Sequence, residues 1–199
     1  MITEISFDSN RAKRVDAPRS IAKTGSYIGT ITQVEMSETK NGATKMDIAF
    51  LADDGSLTFL PMFLTTNEGQ EAFSMGLIHA MMAILKIDGI KAVPGKVFNR
   101  NKETHDGFRV TALEKKRIGL LIQRVNDFYE GKETYQLNVV SVFDPETTKT
   151  AHELLEGKEA TNIEKRLANL HDRDSKRLQD YRMAQNYGSN NAVDEDPFF

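Results

Sequence analysis

Alternation of apolar and polar positions begins early in the chain. Tyr27, Gly29, Ile31 and Gln33 interleave with Ile28, Thr30, Thr32 and Val34 in a β-rich run. Lys40-Asn41-Gly42 follows as a hairpin turn, because Asn-Gly tolerates the positive φ that such turns need. Met46, Ile48 and Phe50 alternate with Asp47 and Ala49 as a second strand. Asp53-Asp54-Gly55 turns the chain again, and Leu57-Thr58-Phe59-Leu60 begins a third strand that Pro61 confines to an edge or an end. The period then changes to that of a helix at Met75, Ile78, Met82 and Leu85. Asn67 is its expected cap, with Glu68 and Glu71 in the first turn and Gly89 as the stop. The methionines of this stretch read as gap-filling core. Residues 90–108 read as a basic loop, broken at Pro94-Gly95 and Asp106-Gly107. A strong β segment runs from Arg117 to Phe128, Glu130-Gly131-Lys132 turns it back, and the Val-rich run from Tyr135 to Phe143 is its partner. Asp144-Pro145 ends the sheet. From Thr150 to about Tyr187 the pattern is helical but mostly charged. Its thin stripe of Ile163, Leu167 and Leu170, continued loosely by Leu178 and Tyr181, predicts a helix lying on the surface or on a partner protomer.

Three strands, a helix, a basic connection and two more strands is the order of an oligonucleotide/oligosaccharide-binding (OB) barrel. The expected fold is therefore mainly β with helices (α+β): a five-stranded OB-like barrel with a helix after strand three, a C-terminal helical extension and a flexible acidic tail. A ferredoxin-like sheet would need a helix after its first strand; a generic β-sandwich is the alternative left open. The expected organisation is an N-terminal arm over 1–24, an OB-like domain over 25–149, a charged helical extension over 150–187 and a tail over 188–199.

Charge sharpens this picture. The net charge of −3 argues against nucleic-acid binding when taken alone. Its distribution says more. Residues 151–199 hold seven Lys/Arg against ten Asp/Glu, whereas residues 86–117 hold nine against four, a net +5. The arm over 1–24 holds five against three. A basic middle and a slightly basic arm thus share a chain with an acidic tail, and a basic surface steers phosphates. Ordinary solvated charge is the plainer account of the basic stretch.

Recognisable catalytic chemistry is missing. The chain has no cysteine, which excludes disulfides and thiolate metal sites. His79, His105, His152 and His171 make no i, i+4 pair of the kind zinc helices use. Val93-Pro94-Gly95-Lys96 lacks the upstream glycine and following Ser/Thr of a phosphate loop. There is no dinucleotide fingerprint and no nucleophile elbow. Asp53 and Asp54 read as turn residues rather than magnesium ligands. No enzymatic activity, no cofactor and no metal are expected. Met1-Ile2-Thr3-Glu4 opens no signal peptide and no apolar run approaches a membrane-spanning length, so a cytoplasmic protein without membrane contact is expected.

Single-strand binding needs only cations for phosphates and flat faces for bases. With 11 Phe, 5 Tyr and no Trp, stacking falls to Phe or Tyr beside Lys or Arg. The candidate neighbourhoods are Phe98 with Lys96 and Arg100, Phe108 with Arg109, and Phe128-Tyr129 with Arg124 and Lys132, followed by Tyr135. Lys115-Lys116-Arg117 is the densest basic cluster and the leading phosphate contact. For each aromatic taken singly, core packing is the commoner role.

The chain ends in Asp194-Glu195-Asp196-Pro197-Phe198-Phe199, after the small and polar run Tyr187-Gly188-Ser189-Asn190-Asn191-Ala192-Val193. Such a run cannot bury enough surface to offset its ordering entropy, which predicts a flexible tether. Three acids and two terminal rings suit docking into a basic-rimmed pocket on a partner better than burial. This tip resembles the C-terminal tip of single-stranded-DNA-binding proteins from bacteria and their phages. Asp194, Glu195 and Asp196 match the acidic run, Pro197 the proline and Phe199 the terminal aromatic. Phe198 is an extra ring, and Asp196 stands where the family often has an apolar residue. The body resembles a phage version of the family more loosely, through Ile118–Arg124, Tyr129–Lys132, Val142-Phe143-Asp144 and the segment from Asn67 to Gly89. The resemblance implies an OB-type domain that coats single-stranded DNA in replication, recombination and repair, in a bacterial host's cytoplasm if phage-encoded. It also implies a tip that recruits replication and recombination proteins. A homo-oligomer is compatible with this. Two other classes stay open: a protein–protein adaptor or virion-associated module without DNA binding, and a small nuclease or strand-annealing factor.

Overall fold

A computed structural model describes residues 20–190, with side chains to residue 185, besides the isolated positions Ser6 and Ser9. Strand β1 (Gly25–Glu38) organises the molecule. Along one edge it pairs antiparallel with β2 (Thr44–Ala52), which pairs in turn with β3 (Leu57–Phe63). Its other edge is shared. Gly25–Thr30 pairs with β6 (Arg117–Tyr129), and Glu35 and Met36 pair with β5 (Thr104–Arg109). A bulge between Ile31 and Gln33 divides these two stretches, and bulges bend a strand. Close approach is helped by Gly29, where a Cβ would stand 2.2 Å from the Leu51 carbonyl oxygen.

Strand β6 continues into β7 (Lys132–Phe143) through Glu130 and Gly131, both at positive φ (49° and 79°). That two-residue turn matches the twist of the strands it joins. Between β3 and β6 lie helix α1 (Phe73–Leu85) and a second hairpin, β4 (Val93–Phe98) with β5. After β7 come the short helices α2 (Ala151–Leu155) and α3 (Asn162–Ala168). Then follow a two-residue strand β8 (Arg173–Asp174), parallel to β6, and helix α4 (Lys176–Asn190). The result is a mixed α/β fold built on a mostly antiparallel sheet of eight strands. Its core is one cluster that includes Ile31, Phe50, Leu60, Ile78, Met81, Leu113 and Leu120.

Several expectations are corrected. The sheet has eight strands rather than five and is open: no ladder joins β3 to β7 among the described residues. Pro61 removes one ladder donor from β3. The basic segment 90–108 is the β4–β5 hairpin, not a loop. Asn67 does not cap α1. Thr66 Oγ1 accepts from the backbone N–H groups of Glu68 and Gln70, Gly69 turns at φ 78°, and Glu71 bridges to Thr65. The helix starts after Ala72, with no acid in its first turn. It stops at Lys86 in the left-handed conformation (φ 54°), three residues before Gly89. The extension is three helices and a strand, and the folded body already includes Ile21, which is buried in the core. Among the described residues no helix is long and apolar enough to cross a membrane.

Candidate functional site

Where β3 and β7 fail to pair, a cleft of about 570 Å³ opens. Leu57, Phe59 and Pro61 form one wall and Thr134, Tyr135, Gln136 and Leu137 the other. The end of the β4–β5 hairpin adds Phe98, Arg100 and Lys102, and Ser20 and Ile21 complete the lining.

Each aromatic and cation here is held by a traceable contact. Phe98 is pinned to β1: its N–H donates to Gln33 Oε1 at 2.9 Å, and its carbonyl accepts from Gln33 Nε2 at 3.0 Å. That fixes the Phe98 ring edge-to-face against Phe59, with centroids 5.9 Å apart. Arg100 reaches across to donate to the Phe59 carbonyl at 3.1 Å. On the opposite wall stands Tyr135, and the Arg124 guanidinium of β6 lies 4.3 Å from its ring centroid. Arg124 is oriented by the Ala22 carbonyl at 2.9 Å and Asn126 Oδ1 at 2.8 Å. Tyr135 keeps 37% of its surface exposed. Flat faces and cations therefore flank one groove, the combination that a nucleic-acid single strand needs.

Of the residues picked from sequence, the structure brings Phe98, Arg100 and Tyr135 into the cleft lining, sets Arg124 over the Tyr135 ring, and scatters the others. Lys96 pairs with Asp106 at 2.8 Å on the exposed hairpin. Phe108 is 54% exposed on β5. Arg109 makes a two-pronged bond with the buried Glu114 carboxylate, a hydrogen bond that raises its pKa further. Arg117 grips Asp53 through both terminal nitrogens, at 3.0 and 2.6 Å. Lys115 and Lys116 are exposed in the turn before β6, and Lys132 is exposed at the β6–β7 turn.

Phe128 and Tyr129 meet helix α4 instead. Phe128 stacks on Tyr181 with centroids 3.7 Å apart, and Arg177 lies 5.4 Å from the Tyr129 ring centroid. The anchor of this helix is Asp127, a buried carboxylate. It accepts from Arg177 through two nitrogens, from Ser175 Oγ at 2.6 Å and from Gln136 Nε2 at 3.1 Å. The hydrogen bonds from Arg177 and Ser175 hold its pKa well below the usual carboxylate range, against the opposing effect of burial.

Phe59, Lys102, Thr134 and Gln136 line the cleft and were not singled out by sequence. Phe59 has no basic neighbour in its own strand; its cations arrive on a hairpin about forty residues downstream. The proposed tip, Asp194 to Phe199, lies outside the described residues. Among the described residues no three His, Asp or Glu side chains converge as a metal site. No protein-family model matches this chain, and no curated protein matches it.

Proposed function

We propose that this chain is a sequence-independent single-stranded-DNA-binding protein of phage-type replication and recombination. The observation that carries this is the cleft between β3 and β7, where Tyr135 under Arg124 faces Phe59, Phe98, Arg100 and Lys102. Bases stack on the exposed ring faces while the cations neutralise phosphates, and the site needs no base-edge readout. A groove that must pass a chain of any sequence is better served by such faces than by a closed pocket.

The neighbour order β3-β2-β1-β6-β7, with α1 following β3, supports reading the sheet as an OB barrel opened along its β3–β7 seam. The β4–β5 hairpin is then an insertion that supplies one wall of the site. The acidic, Phe-ended tip acts as a capture peptide for replication and recombination proteins.

The test is a salt-titrated fluorescence-anisotropy comparison of labelled oligo-dT and a duplex of the same length. Submicromolar binding to oligo-dT that weakens as salt rises, with weaker duplex binding, is the expected outcome. No binding to oligo-dT at low salt overturns the assignment. Deleting residues 194–199 leaves or strengthens DNA binding and abolishes partner capture; retained capture rejects the role of the tip.

A further inference from the structure

A second recess, of about 350 Å³, lies between the β6–β7 hairpin and the chain around α3, and it shares no lining residue with the cleft. Its origin is local. Leu120 and Ile122 belong to the core cluster, whereas Leu121 between them is fully buried outside it. Beside Leu121 the register of the hairpin slips. Leu121 pairs with Ser141 and Ile122 with Val139, so Val140 is left over. Such a bulge bends its strand and leaves the extra residue without a ladder partner. Leu121 and the half-buried Val140 and Leu170 give the recess its apolar lining. The helix beside it is firmly set, because Ile163 is buried and the N–H groups of Thr161 and Asn162 both donate to Glu153 Oε1 at 2.8 Å. The fold itself therefore holds the walls in place.

The rim is cationic. Lys165 and Arg166 line the recess and are exposed, and no Asp or Glu lines it. Elsewhere in the body the arginines are matched to acids: Arg109 to Glu114, Arg117 to Asp53, Arg177 to Asp127 and Arg182 to Asp174. Lys165 and Arg166 have no carboxylate partner among the described residues, and Arg166 reaches only the Val140 carbonyl, at 3.4 Å. The half-buried Asn162 also lines the recess, and its side-chain amide has no partner among the described residues. An apolar hollow with two unmatched cations at its edge is complementary to an apolar side chain flanked by carboxylates. No aromatic ring lines it, so a nucleic-acid base would find nothing to stack on. Its volume is at the small end of the range for ligand sites, about 300–1,000 Å³, which suits one or two side chains better than a run of nucleotides.

We propose that this recess is a peptide-docking site. A bulky apolar side chain from an acidic segment of a partner protein seats against Leu121, Val140 and Leu170, while neighbouring carboxylates meet Lys165, Arg166 and the Asn162 amide. This is a second binding function of the folded body, and it does not depend on the polynucleotide cleft.

The probes are labelled six-residue peptides with four Asp or Glu around two adjacent Leu or Phe, titrated into the full chain by fluorescence anisotropy. One control set carries Ala in place of Leu or Phe, and another carries Lys in place of the acids. Binding that weakens with salt and is absent from both control sets is the expected result. In an NMR titration the amide signals of Leu121, Val140, Lys165 and Leu170 should shift. The K165E/R166E variant changes two exposed side chains, so its thermal melt should match the parent's. Its affinity for the acidic peptides should fall at least about tenfold, through like-charge repulsion, with affinity for dT20 unchanged. No binding of any acidic peptide at low salt overturns the proposal. So does peptide binding that survives K165E/R166E or shifts the signals of the cleft residues instead. Loss of dT20 binding in the variant would make Lys165 and Arg166 part of the polynucleotide path and also overturns it. Self-association of the parent that the variant abolishes would make the recess an interface between copies, with the same consequence. Failure of the full chain to bind dT20, with peptide binding intact, removes the function proposed above and leaves the docking site standing.

Discussion

Gln33 and Phe98 exchange two hydrogen bonds, side-chain amide to backbone, as if Gln33 were a short length of strand laid beside β4. Gln33 is 5% exposed and follows the bulge in β1. It is the joint by which the central strand holds the hairpin over the cleft. Replacing it with Met keeps the volume and leaves both Phe98 backbone groups without this partner. A cost of about 1–3 kcal/mol is expected in urea unfolding. The same variant should bind oligo-dT more weakly, because Phe98, Arg100 and Lys102 lose their fixed position. A fully stable Gln33→Met would show that the hairpin is held by its other contacts.

Tyr135 and Tyr181 make a paired test of which aromatics meet DNA. Tyr135 lines the groove with Arg124 over its ring, whereas Tyr181 is stacked on Phe128 to dock α4. Tyr135→Ala should weaken oligo-dT binding by about 1–3 kcal/mol, the worth of one base stack, with little change in melting temperature. Tyr181→Ala should do the reverse. It loses about 0.5–1.5 kcal/mol of stability from the ring pair, beyond any lost burial, and leaves DNA affinity unchanged. Equal effects of the two substitutions on affinity would move the binding face toward α4.

The same two rings mark how far sequence alone could reach. The β6–β7 hairpin was legible because Glu130-Gly131 supplies two left-handed residues between long apolar runs. The first three strands were legible because Gly42 and Gly55, each at positive φ, mark the turns between their alternating runs. The β4–β5 hairpin was not. Its strands are six residues each, and Pro94, Gly95 and Gly107 read as breakers. Yet Gly95 and Gly107 face each other in register, and a Cβ on Gly107 would stand 2.7 Å from Val97 Cγ2. Those glycines permit the pairing that their type argues against, and Gln33 and β1 enforce it from outside the segment. Likewise Phe128 beside Arg124 looks like a stacking site until a helix more than fifty residues downstream folds back onto it. Three residues of the cleft lining were recoverable, because Phe98, Arg100 and Tyr135 each sit near other basic or aromatic residues in sequence. Phe59 and Lys102 became part of it only through tertiary pairing.

Gly29 is the tightest backbone crossing in the sheet's centre. A Cβ there would stand 2.2 Å from the Leu51 carbonyl oxygen and 2.7 Å from Ala52 Cα, both main-chain atoms that cannot swing aside. Gly29→Ala should therefore cost at least about 1–3 kcal/mol, as overpacking does, and show as a lower midpoint in urea. Gly76, with open space around it in α1, is the control, because alanine suits a helix interior better than glycine. A neutral Gly29→Ala would mean that β1 and β2 separate there more readily than their register implies.

Glu153 caps two helices at once, and its protonation should be felt in acid. Its Oε2 accepts from the Thr150 N–H and hydroxyl at 2.8 Å each, closing the capping box of α2. Its Oε1 accepts from the N–H groups of Thr161 and Asn162, also at 2.8 Å, at the start of α3. Burial alone would raise its pKa, but these hydrogen bonds outweigh burial and hold it at about 2, against 4.5 for the free group. A depressed carboxylate stabilises the fold fully above its unfolded pKa, and that stabilisation fades as pH falls toward the folded value. Glu153→Gln keeps the shape but turns an amide NH₂ toward backbone donors, which should cost about 1–3 kcal/mol at neutral pH. The gap in stability between the parent and this variant should be full above about pH 5 and narrow progressively toward pH 2. A gap that stays constant across that range would mean that the charge on Glu153 contributes nothing beyond its shape.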